Sequence, residues 1–177
     1  MSNTVAEESD TRLSPNAQGN DRVRVAADAG DVKTAAPFAL IVDDQEAIGR
    51  FVAKALAGLG VDPATYQSAK LAIDSLDQRR PDIIFLDIAL IEGDAIDVIK
   101  GLSEKHHTAV VQLMSGGRPQ LLEAVQRVGA RYGLTLLPPL LKPFRVEAIS
   151  DVIVGAGLAR NLPPLSGSRP PSGSSKQ

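Results

Sequence analysis

The chain has 177 residues, 44% hydrophobic and 23% charged, the balance of an ordinary globular domain. Its formal net charge of −2 argues against a nucleic-acid binder held mainly by phosphate neutralisation. With no cysteine, disulfides, thiolate metal sites and cysteine nucleophiles are excluded, and the composition suits a reducing cytosol.

Residues 1–36 mix Ser, Asn, Asp, Gly and Ala without sustained periodicity and read as a disordered N-terminal arm. The opening MSNTVAEESDTR has no basic start and no apolar stretch of secretory length. No apolar run reaches the ~18 residues of a membrane helix, so a cytoplasmic protein with no membrane partner is expected. Residues 37–160, about 120 in number, suffice for a real hydrophobic core. From Asn161 the sequence turns Pro/Ser/Gly-rich and reads as a flexible tail over 161–177.

Between the arms the pattern alternates. FALIVDD (Phe38 to Asp44) reads as a buried parallel strand ending in acids. Ile48, Phe51, Val52, Ala55, Leu56 and Leu59 then recur at helical spacing, with Gly60 closing that helix. A short second strand is expected near Thr65 and Tyr66. Ser68 is placed to cap a helix running to about Arg79, with Leu71, Ala72, Ser75 and Leu76 on one face. Pro81 breaks the chain, and DIIFLDIAL supplies a third strand ending at Asp87. A helix is expected from about Asp94 to Glu104, built on Ile96, Val98, Ile99 and Leu102. TAVVQLMSG (Thr108 to Gly116) is the fourth strand. Pro119 opens the next helix, which carries Leu121, Leu122, Val125 and Val128. LTLLPPLLK (Leu134 to Lys142) is the fifth strand, and Val146, Ile149, Ile153 and Val154 mark a last helix.

Five strands alternating with five helices imply an α/β fold, a doubly wound parallel sheet covered on both faces. Proline cannot donate to a strand ladder, so Pro138 and Pro139 fit only if the fifth strand is an edge. The flavodoxin-like (βα)5 order 2-1-3-4-5 places it there. In such sheets the ligand site lies at the carboxyl ends of the strands. Those ends carry Asp43 and Asp44, Asp87, Ser115 and Lys142.

Carboxylates gathered within a few ångströms repel one another, and a hard divalent cation such as Mg²⁺ resolves the repulsion. Asp44 and Asp87 are the expected direct ligands, Asp43 acts directly or through water, and the backbone carbonyl of Ala89 completes the protein's share. A carboxylate left partly free can attack phosphorus and form an acyl phosphate. Lys142 would offset the developing charge and Ser115 would hydrogen-bond a phosphoryl oxygen. This chemistry needs no histidine at a strand end, and none is found there.

The pair in IVDD, the aspartate in IIFLDIAL, the serine in LMSG and the lysine in LLKPF together resemble the receiver domains of two-component response regulators. The resemblance covers about residues 37–160. It implies that Asp87 accepts a phosphoryl group from a histidine kinase or histidine phosphotransfer protein, and that Lys142–Pro143 is a cis peptide. It implies a signalling module rather than an enzyme, with only self-phosphorylation and autodephosphorylation chemistry. With no output domain read after residue 160, the expectation is a stand-alone receiver acting on a downstream protein in trans. The face of the fourth helix, fifth strand and fifth helix, with Leu140, Leu141 and Val146, is the expected partner or homodimer surface.

The resemblance departs at Pro139, where many receivers carry an aromatic switch residue, so the usual serine-plus-aromatic route is not expected. Leu90 and Ile91 replace a common methionine–proline pair, and Ala95 replaces a usual glycine. The stretch from Ser115 to Phe144 is a few residues longer than in a typical receiver. It is similar to the corresponding segment of receivers joined to cyclic-di-GMP phosphodiesterase domains of the EAL type.

Other readings stand beside this one. The adjacent aspartates could cap the following helix, and Ser115 in SGG could be a turn residue. A phosphatase with an aspartate nucleophile would place an Asp-x-Asp pattern at the first strand, unlike the adjacent pair here. A pseudo-receiver that binds partners without phosphorylation is the main alternative. His106 and His107 read as exposed residues closing the third helix. GAGLAR from Gly155 lacks the third glycine of a dinucleotide fingerprint and follows a helix, which rejects that reading.

Overall fold

The computed structural model describes residues 35–91 and 94–159. The arms expected at 1–36 and 161–177 lie outside the described residues, apart from residues 35 and 36. Eleven elements follow in order: β1 (Phe38–Val42), α1 (Glu46–Gly58), β2 (Asp62–Tyr66), α2 (Ala69–Ser75), β3 (Ile83–Asp87) and α3 (Ala95–Glu104), then β4 (Val110–Ser115), α4 (Pro119–Arg131), β5 (Thr135–Leu136), β6 (Leu140–Leu141) and α5 (Val146–Gly155). All strand pairs are parallel, in the order β2-β1-β3-β4-β5, with β6 also on β4. This is the flavodoxin-like arrangement that the alternating pattern implies.

The central strands are apolar on both faces because both faces are covered. Every residue of β1 and of β3 is buried. On one side, Leu40, Val42, Ile84, Leu86, Val111 and Leu113 pack against α2, α3 and α4. On the other, Ala39, Ile41, Ile83, Phe85 and Met114 meet Val52 and Leu56 of α1 and Ile149 and Ile153 of α5. Period two in the strands thus feeds two cores, one on each side of the sheet.

Local signals set most helix starts. Ser68 Oγ accepts from Leu71 N at 3.4 Å ahead of α2, Asp94 Oδ1 accepts from Ile96 N at 2.9 Å ahead of α3, and Pro119 is the first residue of α4. Two expectations are corrected on α2. It ends at Ser75 rather than near Arg79, because the Ser75 hydroxyl donates to Ala72 O at 2.7 Å and the chain turns. Leu71, expected on the packed face, is 54% exposed.

The expected fifth strand is also corrected: it is two short pieces. Val111 pairs with Leu136 and Met114 with Leu140, so Gln112 and Leu113 face three residues, Leu137 to Pro139. The extra residue is absorbed as a bulge on the edge, where prolines cost no central ladder bond. Gln112, fully buried, donates its side-chain amide to Pro138 O at 2.8 Å and so ties the bulge to β4. Pro63 is likewise confined to β2, the opposite edge.

The histidine expectation divides. His106 is exposed, with a positive φ of 53° that turns the chain out of α3. His107 is only 7% exposed, a correction: the turn, closed by His107 N donating to Leu102 O at 2.9 Å, buries it instead of leaving it in solvent. Burial pushes its imidazole below the usual value of 6.5, and the positive charges of Arg80 and Lys105 act in the same direction, against the Leu76 backbone and Asp77.

Two predictions follow from the packing. A Cβ on Gly49 would lie 2.7 Å from Thr65 Cγ2, whereas one on Gly58 meets nothing within 4 Å. Gly49→Leu should cost about 1–3 kcal/mol in urea unfolding, while Gly58→Ala, in the same helix, should gain about 0.5–1 kcal/mol. Because His107 titrates lower folded than unfolded, its neutral form contributes stability that is complete above pH 6.5 and is lost as pH falls below it. Urea midpoints between pH 7.5 and 5 should therefore fall less steeply in His107→Gln than in the parent chain.

Candidate functional site

Parallel strands end at the same edge, and that edge carries the acids. Asp43 and Asp44 follow β1, and Asp87 closes the neighbouring β3. One carboxylate oxygen from each of the three lies within 4.8 Å of the others. Asp43 is fully buried and Asp87 nearly so, while Asp44 is half-buried at the mouth.

Lys142 follows β6 and reaches across the edge. Its ammonium lies 2.7 Å from Asp43 Oδ2 and 2.9 Å from Asp87 Oδ2, with the side chain only 11% exposed. The peptide joining it to Pro143 is cis, as the resemblance implies. The Lys142 backbone N–H donates to Ser115 O at 2.7 Å, which locks its strand to β4. The remaining Asp43 oxygen accepts from Gln45 N at 3.0 Å, and Asp87 Oδ1 accepts from Ala89 N at 3.3 Å.

The adjacent aspartates do not cap α1, since Gln45 stands at its N-cap without a side-chain cap bond. Burial dominates at Asp43 and pushes its carboxyl up, in the same direction as the neighbouring Asp87 charge. Its bonds to Lys142 and Gln45 pull the other way.

Two polar atoms at this edge are buried without a hydrogen-bond partner among the described residues, Asp44 Oδ1 and Ser115 Oγ. Ser115 ends β4, one residue beyond the Asp87–Met114 pair, and is 1% exposed. Buried polar groups are almost always paired, so two such atoms beside three carboxylates mark a place suited to a cation and an acceptor-rich group. All-oxygen donors suit a hard divalent ion.

A cleft of about 360 Å³ opens over the cluster, lined among others by Asp44, Asp87, Ala89, Gly116, Arg118 and Lys142. The candidate site residues Asp43, Asp44, Asp87, Ala89, Ser115 and Lys142 thus all lie at this edge. Arg118 was not singled out, because an arginine after two glycines carries no periodic signal.

A family model for the response regulator receiver domain matches residues 39–153. The chain belongs to that family. Among curated relatives, the KDP operon transcriptional regulatory protein KdpE of Escherichia coli K12 is 35% identical over 74 residues, 42% of this chain and 33% of that protein. The chain therefore spans only a third of that relative's length. Sporulation initiation phosphotransferase F of Bacillus subtilis is 27% identical over 117 residues, 64% of this chain and 88% of that protein. The solved structure of a response regulator receiver protein from Burkholderia phymatum superposes with a TM-score of 0.57 at 25% identity, covering 71% of this chain and 99% of that one.

The receiver's buried ion pair yields a test. Removing one partner of a buried pair strands charge in a poorly solvated place. Lys142→Met should cost about 3–5 kcal/mol in metal-free denaturant unfolding, because both Asp43 and Asp87 lose their nearest cation.

Proposed function

We propose that this receiver is a phosphoacceptor switch in which Asp87 takes a phosphoryl group from a phosphohistidine on a histidine kinase or phosphotransfer protein. The observation that carries the reading is the Lys142 ammonium shared by Asp43 and Asp87 within a cluster of three carboxylates. An ionised Asp87 oxygen attacks phosphorus while the phosphorus–nitrogen bond breaks. The imidazole nitrogen keeps the electron pair and takes up a proton. Asp87 needs no general base, since a carboxylate is already the nucleophile. Lys142 is placed to move from the carboxylate to a phosphoryl oxygen, and the unpartnered Ser115 hydroxyl is free to donate to another.

Asp44 and Asp87 would hold a Mg²⁺ ion, with Asp43 directly or through water and the Ala89 carbonyl completing the set. The fit rests on the oxygen donors and on the partnerless Asp44 Oδ1. When bound, the ion neutralises charge on the transferring phosphoryl oxygens.

The phosphorylated receiver signals through contact with another protein. Leu141, 63% exposed, and Val146, also exposed, lie on the β6–α5 side and support a partner or homodimer contact there. No helix among the described residues is long and apolar enough to cross a membrane, which is consistent with the cytoplasmic reading.

Incubation with Mg²⁺ and acetyl phosphate, kept cold and read by intact mass, should give one phosphoryl adduct that Asp87→Ala abolishes. Without a phosphodonor, Mg²⁺ at a hundred times its dissociation constant should stabilise the chain by about 2.7 kcal/mol, and should stabilise Asp44→Asn much less. No adduct from acetyl phosphate or from candidate kinases would sink the phosphoacceptor reading in favour of a phosphorylation-independent interaction module.

A further inference from the structure

The charge at the cleft does not balance once Asp87 is phosphorylated. Before transfer, three carboxylates face one ammonium. The acyl phosphate removes the Asp87 charge and brings a phosphoryl dianion. Two carboxylates and that dianion, set against one divalent ion and Lys142, leave one negative charge over. Among the described residues, the other cation lining the cleft is Arg118.

Among the described residues Arg118 makes no ion pair, whereas Lys142 is already shared between two acids. A guanidinium offers the planar fork that matches two phosphoryl oxygens at once.

Its backbone position gives that contact a consequence. Arg118 is the N-cap of α4 and makes no side-chain cap bond, so the first-turn amides of that helix have no side-chain acceptor from it. Its carbonyl accepts from Leu122 N at 3.0 Å, which couples any movement of Arg118 to the first turn. Behind it stand Gly116 and Gly117, the latter at φ 95°, and a Cβ on either would meet nothing within 4 Å. Neither glycine is held by side-chain packing, while Ser115 itself is buried with its hydroxyl unpartnered among the described residues. Leu121 and Leu122 of that turn are half-buried and pack against the core, so a movement of the turn is felt by the interior.

We propose that Arg118 is the clamp that reads the phosphoryl group: it closes on the Asp87 acyl phosphate through the Gly116–Gly117 pivot and draws the first turn of α4 over the cleft. Arg118 is a positioning residue for the signal rather than a group required to make the bond. The inference rests on the reading of Asp87 as acceptor.

The test is hydrogen–deuterium exchange of residues 116–124 in the full chain, with and without acetyl phosphate and Mg²⁺. Adduct occupancy on Asp87 is read by intact mass in the same samples. At matched occupancy, phosphorylation should slow exchange there by about tenfold in the parent chain and in Arg127→Gln. Arg127→Gln removes a cation elsewhere on α4. In Arg118→Gln the slowing should be lost. Equal slowing in Arg118→Gln, or its loss in Arg127→Gln as well, would overturn the clamp. So would an adduct on the parent chain with no slowing in this segment. Absence of any adduct on the parent chain would instead remove the acceptor reading, and the clamp with it, so the two failures are told apart by mass alone.

Discussion

The ion pair of Lys142 with Asp43 and Asp87 joins parts of the chain that are far apart in sequence. Asp43 stands after β1, Asp87 closes β3, and Lys142 follows β6. Holding two buried carboxylates side by side costs free energy, and an ammonium within 2.9 Å of both offsets part of it. The geometry depends on all three strands ending at one level. It therefore depends on the parallel ladder, on the buried valines, leucines and isoleucines that fix its register, and on the bond from Lys142 N to Ser115 O.

The bulge at Leu137–Pro139 belongs to the same account. An extra residue in the edge strand would shift Lys142 by one position and turn its side chain to the other face of the sheet. Absorbing that residue between β5 and β6 restores the register, so that Leu141 pairs with Ser115 and Lys142 still points at the acids. Gln112 holds the bulge by donating to Pro138 O, and its amide also donates at 3.0 Å to the β4 carbonyl of Leu113, which faces prolines that have no N–H. The prolines thus alter the path of the edge and leave the site's geometry intact.

The site combines rigid and loosely held parts. Asp43, Asp87 and Ser115 are buried at strand ends, as befits groups that must be in place before any ligand arrives. Gly116, Gly117 and Arg118 on the cleft's rim are exposed, and a Cβ on either glycine would meet nothing within 4 Å. A phosphoryl group bound at this edge would touch both, which is how a local change of charge could reach a helix thirteen residues long.

Much of this was legible in the sequence, because the signals are local. Apolar runs ending in Asp, Ser or Lys, helical spacing, a capping Ser68 and a Pro119 at a helix start each act within a few residues. Alternation of strand and helix then implies that the strand ends share one edge. What the sequence could not decide involves contacts between distant segments. Leu71 is exposed because α2 turns Ala69 and Ala72 to the core instead, His107 is buried because the turn after α3 brings it against the Leu76 backbone, and the fifth strand splits because β4 sets its register. Arg118 lines the same cleft as Asp44 and Asp87 only because β4 and β3 lie side by side. Residue type and spacing determined which groups this protein has at its strand ends; the packed sheet alone decided which of them meet, since side-chain contact is a property of distance in space and not of distance along the chain.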